Sequence, residues 1–412
     1  MDTNGDLIIN SEDAIIKHKD RVKNTLIIGP DNTGRLNQVV LPQLDRDIKK
    51  GTTVITLSST EELALHTYAL GKFNEREDVV YFDPLHPDSP YLNPLMLDNE
   101  QLVSALIYPS SRETNFFTDQ QEMLLRRALT VLRAIENDPA AQHNLYGDSA
   151  TMIDLSVLIN NEGSKGEHLI KVFSQLENVA EEFYQEDVVE WFLENYYLKD
   201  ELKTFEHTAG LRNRITMLAL NPHLRTILNP PKGETNILDF NQLIKDKSVV
   251  AVTSNVEWLS EAGLMMNQFI ISMLQTALNG QDVTVYIDDF QMFYNNDFGM
   301  MLQEVSGKQT SIHLLTENLV VPTNKVGMMK PSNDPERIED IQNNISNHIV
   351  LPGTHEDELP WLHSLFENNI LDELSYGEVA YRSSDHQGVT PAEWLPMQLK
   401  YELDLIIESS NE

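Results

Sequence analysis

The chain has 412 residues, 41% of them hydrophobic, which is long enough for a large core in two domains and typical of globular proteins. With 64 acidic against 30 basic side chains its formal net charge is −34, which argues against nonspecific nucleic-acid binding, because that affinity rests on Lys and Arg neutralising phosphates. Cysteine is absent, which excludes disulfides, thiol catalysis and thiolate metal sites and fits a cytoplasmic setting.

In chain order, Asp2, Asn4, Asp6, Asn10 and Asp13 are spaced like a calcium loop, but Leu7 stands where such a loop turns on glycine. Leu7-Ile8-Ile9 reads better as a short strand after an Asn-Gly turn. The apolar run Thr25–Ile28 then breaks at Gly29, loops through Pro30, Asn32 and Thr33 to Gly34, and resumes as a helix. Strand, glycine-bounded turn and helix N-terminus are the layout of a phosphate-binding loop. Such a loop uses a Lys for the outer phosphates and a hydroxyl for magnesium. Here Arg35 and Leu36 hold those places, so the loop keeps its shape and loses its chemistry.

A helix ends near Lys50, and Thr52–Leu57 and Val79–Phe82 read as strands around a helix over Glu61–Leu70. That alternation implies right-handed crossovers and a parallel sheet. From about Asp98 the β signal stops. Thr118 and Gln121 have capping-box spacing, and helical patterns recur over Leu125–Ile135, Ile153–Ile159, Leu169–Leu176, Val179–Tyr197, Leu211–Leu220 and Leu224–Leu228. Between Glu177 and Glu201, Phe183, Tyr184, Trp191, Phe192, Tyr196 and Tyr197 are interleaved with acids. They form either an acidic aromatic docking surface or, as the spacing favours, the core of amphipathic helices.

The β signal returns at Val249–Val252. After a helix over Ala262–Leu278, the strand Asp282–Ile287 delivers Asp288 and Asp289 at its C-terminal end. In a nucleotidase the first such acid holds magnesium and the second polarises the attacking water. Ser311–Leu315 and His348–Leu351 read as further core strands, 322–335 as a mobile loop, and Tyr376–Tyr381 as an edge strand. No apolar run reaches membrane-spanning length and no leader is expected.

Together these segments resemble the conjugative DNA-transfer ATPases of the TraG/TraD type, the type IV coupling proteins within the FtsK/HerA branch of RecA-like motors. The resemblance lies in Thr25–Gly34, Asp78–Pro84, Asp88–Leu95, Phe116-Phe117, Asn221–Leu228, Ile237–Phe240, Ser248–Ser254 and Tyr286–Phe290. It implies an α/β, RecA-like P-loop nucleotidase fold in residues 1–97 and 236–412, with an inserted all-α domain at 98–235. It also implies ATP and magnesium as ligands, Gly29, Pro30, Asn32, Thr33, Gly34, Arg35, Leu36 and Glu317 around the nucleotide, Asp288 on the metal, and Asp288 and Asp289 as catalytic acids. The departures oppose ATP binding. Besides Arg35 and Leu36, Ser58–Glu62 replace the family's Asp-Pro-Lys-Gly-Asp, and Thr316-Glu317 stand where a Gln would sense the γ-phosphate. The expected protein is a coupling-protein-like subunit with weak or no hydrolysis. It would serve protein partners of a secretion apparatus, recruited to a membrane protein and assembling as a homo- or hetero-oligomer. The alternatives are an active hexameric DNA translocase and a RecA-like fold reused for an unrelated structural role.

Overall fold

A computed structural model describes residues 7–10, 14–30, 33–107, 116–177, 179, 184–197, 202–319, 335–354, 359–366, 370–384 and 386–410. The loop residues Asp31 and Asn32, the aromatic Phe183, most of the candidate calcium loop and nearly all of the loop expected at 322–335 lie outside them. The chain divides into one unit formed by Met1–Asp83 with Asp239–Glu412 and a second formed by Pro84–Leu238.

Among its described residues the first unit contains eleven strands: β1 (Leu7–Asn10), β2 (Ala14–Ile16), β3 (Thr25–Ile28), β4 (Thr53–Ser58), β5 (Val79–Phe82), β6 (Val249–Thr253), β7 (Val283–Asp288), β8 (Ser311–Thr316), β9 (Asn347–Val350), β10 (Glu378–Arg382) and β11 (Gln387–Pro391). β1 and β2 pair as an antiparallel hairpin, and the rest form one sheet in the order β11-β10-β9-β3-β8-β7-β4-β6-β5. From β9 through β5 every pairing is parallel. Strands β3, β4, β6, β8 and β9 are buried along their whole length, which is why they are mostly apolar and β-branched, with Ser311, His313, Asn347 and His348 as buried polar exceptions in β8 and β9.

Register brings the strand ends together. Ile28 pairs with Thr316, Asp288 with Leu315, and Leu57 with Ile287, so the residues following β3, β8, β7 and β4 emerge at one edge of the sheet. In open parallel sheets that carboxyl edge is where ligands bind.

At the other end of the sheet, Tyr376–Tyr381 does not form an edge. β10 pairs with both β9 and β11, and the edge strand is β11, followed by a helix over Met397–Ser410. Gln387-Gly-Val-Thr-Pro391 carries too few apolar residues to announce itself as a strand.

The second unit is helical, with helices over Asn99–Ile107, Phe116–Asn137, Met152–Asn160, Lys165–Phe173, Gln185–Glu190, Ala209–Leu220 and other, shorter segments. Its limits lie outside the expected 98–235 for a local reason. Tyr91 bridges Ile237, with its N–H donating to Asn236 and its carbonyl accepting from Leu238, so the proline-rich entry and the exit of the unit are tied together. The capping box fails because the helix already runs from Phe116, placing Thr118 inside its first turn. The working N-terminal box is Thr151 with Asp154, whose carboxylate accepts from both the Thr151 N–H and its hydroxyl. Phe192 and Tyr196 are buried, and Trp191 stacks on Tyr196 under the Arg127 guanidinium. The described aromatics of this stretch are therefore mainly core, with Tyr184 exposed.

Candidate functional site

Gly34 adopts φ +96°, and a Cβ there would lie 2.4 Å from the Gln38 side chain, so only glycine fits. The six residues after it, Arg35–Val40, form a wide π turn, with the Leu41 N–H donating to the Leu36 carbonyl. Pro42 supplies the reason. It has no N–H for the Gln38 carbonyl, and its ring crowds that carbonyl, so the first turn opens before the regular helix Leu41–Lys49 begins.

The described residues of the loop bond to carbonyls of the protein. The Thr33 N–H and hydroxyl both donate to the Pro30 carbonyl, at 3.1 and 2.6 Å, and the Gly29 N–H donates to the Thr316 carbonyl at 3.1 Å. In a phosphate cradle successive loop N–H groups converge on the anion instead.

Arg35 is the central departure. It is buried, and its Nη1 donates to the Gly29 carbonyl at 2.8 Å, folding the side chain back across the mouth of the loop. Its Nη2 lies 3.5 Å from Asp288 Oδ1. The cation beside the loop is thus engaged by a loop carbonyl and by the acid expected to hold magnesium. Leu36, at the position of the metal-binding hydroxyl, is half-buried and packs against the main hydrophobic core. It has no oxygen to offer an ion. An apolar side chain at the hydroxyl position and a guanidinium already bound to the acid do not fit a Mg–nucleotide arrangement.

Asp289 follows β7 in the left-handed region, at φ 47° and ψ 48°. Its Oδ2 accepts from the Ser59 hydroxyl at 2.7 Å, and its N–H donates to Asp288 Oδ1 at 3.1 Å. The second acid is therefore held laterally by the segment after β4, the same segment that departs from the family pattern. Glu317 directly follows buried Thr316 at the end of β8, adding negative charge beside the loop.

The structure brings Gly29, Pro30, Thr33, Gly34, Arg35, Leu36, Asp288, Asp289 and Glu317 to the carboxyl edge of the sheet. Two residues of this edge were not singled out from sequence. Ser59 lies in the segment Ser58–Glu62 that departs from the family pattern. Gln291 donates to the Thr316 hydroxyl at 2.7 Å and also to the Asn318 carbonyl. A glutamine does meet the end of β8, but it comes from the turn after β7, and its nearness to Asp288-Asp289 in sequence was the sole cue.

A second polar cluster is buried where the helices His18–Arg21 and Leu41–Lys49 meet β7 and β8. Arg21 grips Asp47 with both terminal nitrogens, Nη1 to Oδ1 at 2.9 Å, and its Nε donates to His313 Nε2 at 3.1 Å. Asp47 also accepts from Tyr286 at 2.7 Å, Gln43 at 3.1 Å and Lys50 at 3.0 Å. The Tyr286 ring stacks on His313 with centroids 4.6 Å apart. Burial alone would raise the Asp47 pKa, but Arg21 and Lys50 outweigh it and hold the carboxyl well below its ordinary range. Burial, then Arg21, pushes the His313 imidazole well below its ordinary value. The cluster ties the helix after the loop to β7 and β8.

The parallel-rich sheet, the glycine-bounded loop and the helical insertion define a RecA-like, P-loop-type fold. Among solved structures the chain is similar to VirB4 of Thermoanaerobacter pseudethanolicus, with TM-score 0.60 and 12% identity over 96% of this chain and 98% of that one. It is also similar to the bacterial conjugative coupling protein TrwBΔN70 in its unbound monoclinic form, with TM-score 0.57 and 11% identity over 93% and 88% of the two chains. The sequence matches no established family profile and no curated protein. At these identities the likeness is one of fold.

Proposed function

We propose that this chain is a subunit of a conjugative DNA-transfer or type IV secretion apparatus that keeps the motor fold and hydrolyses ATP weakly or not at all, acting as a scaffold or regulatory partner. The observation that carries the reading is Arg35, folded onto the Gly29 carbonyl and Asp288 where a motor would keep a phosphate-binding cation free. The likeness of fold to a coupling protein and to VirB4 supports the setting. Partners are then proteins of the apparatus, and the net charge of −34 disfavours direct DNA binding. Among the described residues no helix is long and apolar enough to cross a membrane, so on this reading any membrane association runs through a partner.

The test is ATP turnover by purified protein, with and without DNA. The expected result is little turnover, unchanged by Asp288→Ala or Asp289→Ala. Turnover abolished by either substitution would establish the competing reading, an active translocase using Arg35, Asp288, Asp289 and magnesium.

A further inference from the structure

The helix Met397–Ser410 carries two apolar faces, and the fold uses one. Leu399 and Leu403 are buried in the main core, and Ile406 and Ile407 pack against it. Met397, Tyr401 and Leu405 recur at a spacing of four, which in an α-helix puts them on one face. They are 91%, 65% and 47% exposed, and Trp394, just ahead of the helix, is 58% exposed. Isolated exposed apolar residues are ordinary, but a row of three large ones along one helix, with Trp394 just ahead of it, marks an interaction surface.

Charge selects the occupant. Around the row stand Glu402, Asp404 and Glu408, with Lys400 the one basic residue of the helix, and the helix C-terminus adds the negative end of its dipole. A second copy would bring the same acids against them, from a chain of net charge −34. An anionic lipid surface would be repelled for the same reason. The face fits a partner with the opposite pattern. We infer that the exposed face of the Met397–Ser410 helix is a docking site for an amphipathic helix of another protein, its apolar stripe flanked by Lys and Arg. Packing would follow helix-in-groove rules, with aromatic and Met side chains as anchors and the acidic margin setting orientation. The inference is independent of nucleotide, because the loop and Asp288 lie in other elements.

The experiment titrates full-length protein with a Leu/Lys amphipathic helical peptide and with its Leu/Glu counterpart, in low and high salt. The expected result is saturable binding of the Leu/Lys peptide that weakens with salt. It should fall at least about tenfold in Met397→Ser/Tyr401→Ser/Leu405→Ser. Because those side chains are exposed, the variant should unfold at the wild-type temperature. Asp404→Lys/Glu408→Lys should invert the preference toward the Leu/Glu peptide. No saturable binding, binding unchanged in the triple variant, or equal binding of the two peptides would overturn the inference. Concentration-dependent dimerisation lost in the triple variant would make the face a self-interface. Vesicle binding lost in that variant, with phosphatidylcholine or phosphatidylserine, would make it a lipid surface; either outcome contradicts the proposal.

Discussion

Two Arg–Asp pairs stand in the same sheet unit and differ in almost every respect. Arg21 and Asp47 are both fully buried and meet through two parallel contacts, with Tyr286, Gln43 and Lys50 also on the carboxylate. Arg35 Nη2 and Asp288 Oδ1 stand 3.5 Å apart, with Asp288 partly open to solvent. The first pair is a completed network, in which removing one partner strands the other in low dielectric. The second is a longer contact at the loop, between a guanidinium that also donates to the Gly29 carbonyl and a partly exposed acid. The contrast separates what holds the fold from what occupies the site. Asp47 ties the helix after the loop to Arg21 and to Tyr286 of β7.

The largest effect should come from breaking the inner pair. Asp47→Ala leaves Arg21 buried without its carboxylate and should cost about 3–5 kcal/mol, read as a lowered urea midpoint. A loss under about 1 kcal/mol would remove the distinction between the pairs.

Acid should act next, through the inner network and not the outer pair. Burial and Arg21 keep His313 neutral, and burial followed by Arg382 lowers His348 to about 3. Unfolding frees both to take protons at their ordinary pKa of about 6.5, so the unfolded state binds more protons as pH drops below that value. Stability is then lost as pH falls, by up to about 1.4 kcal/mol per pH unit for each histidine. Asp47, with its folded pKa depressed, contributes stability that is complete above about pH 4 and lost below it. Urea titrations at pH 7 and pH 5 measure the histidine part. His348→Gln should remove roughly half of the slope, and a flat profile would show that neither imidazole is held neutral.

The smallest effect belongs to the outer pair. Asp288→Ala should change stability by about 1 kcal/mol or less, because Arg35 keeps the Gly29 carbonyl and Asp288 is partly open to solvent. A loss as large as that of Asp47→Ala would make Arg35–Asp288 a structural pair.

Much of the frame was legible because buried parallel strands advertise themselves. Thr25–Ile28 and Val249–Val252 are nearly unbroken apolar runs, Ser311–Leu315 is apolar apart from Ser311 and His313, and that signal lapses across the helical stretch. β10 was misplaced because its alternation is shared by any strand with one wetter face, and β11 lacks the apolar residues that would have paired it. At the site, the identities of Arg35 and Leu36 mark where this loop departs from the phosphate-loop pattern. They did not show where the guanidinium goes, since its acceptors are a backbone carbonyl and a residue from a distant strand. Ser59 and Asp289 meet across 230 positions, and no local pattern encodes that hydrogen bond.

The central claim is that Arg35 and Leu36 are what separate this loop from a nucleotide site. A calorimetric titration of ATP into wild type and into Arg35→Lys/Leu36→Thr, each with and without magnesium, tests it most directly. The double substitution restores a compact ammonium for the outer phosphates and a hydroxyl for the ion, and it leaves Asp288 without its guanidinium partner. The account predicts magnesium-dependent binding in the double variant, absent or much weaker in wild type, with turnover still low because Ser58–Glu62 and Thr316-Glu317 are unchanged. Equal binding by the two folded proteins would contradict it.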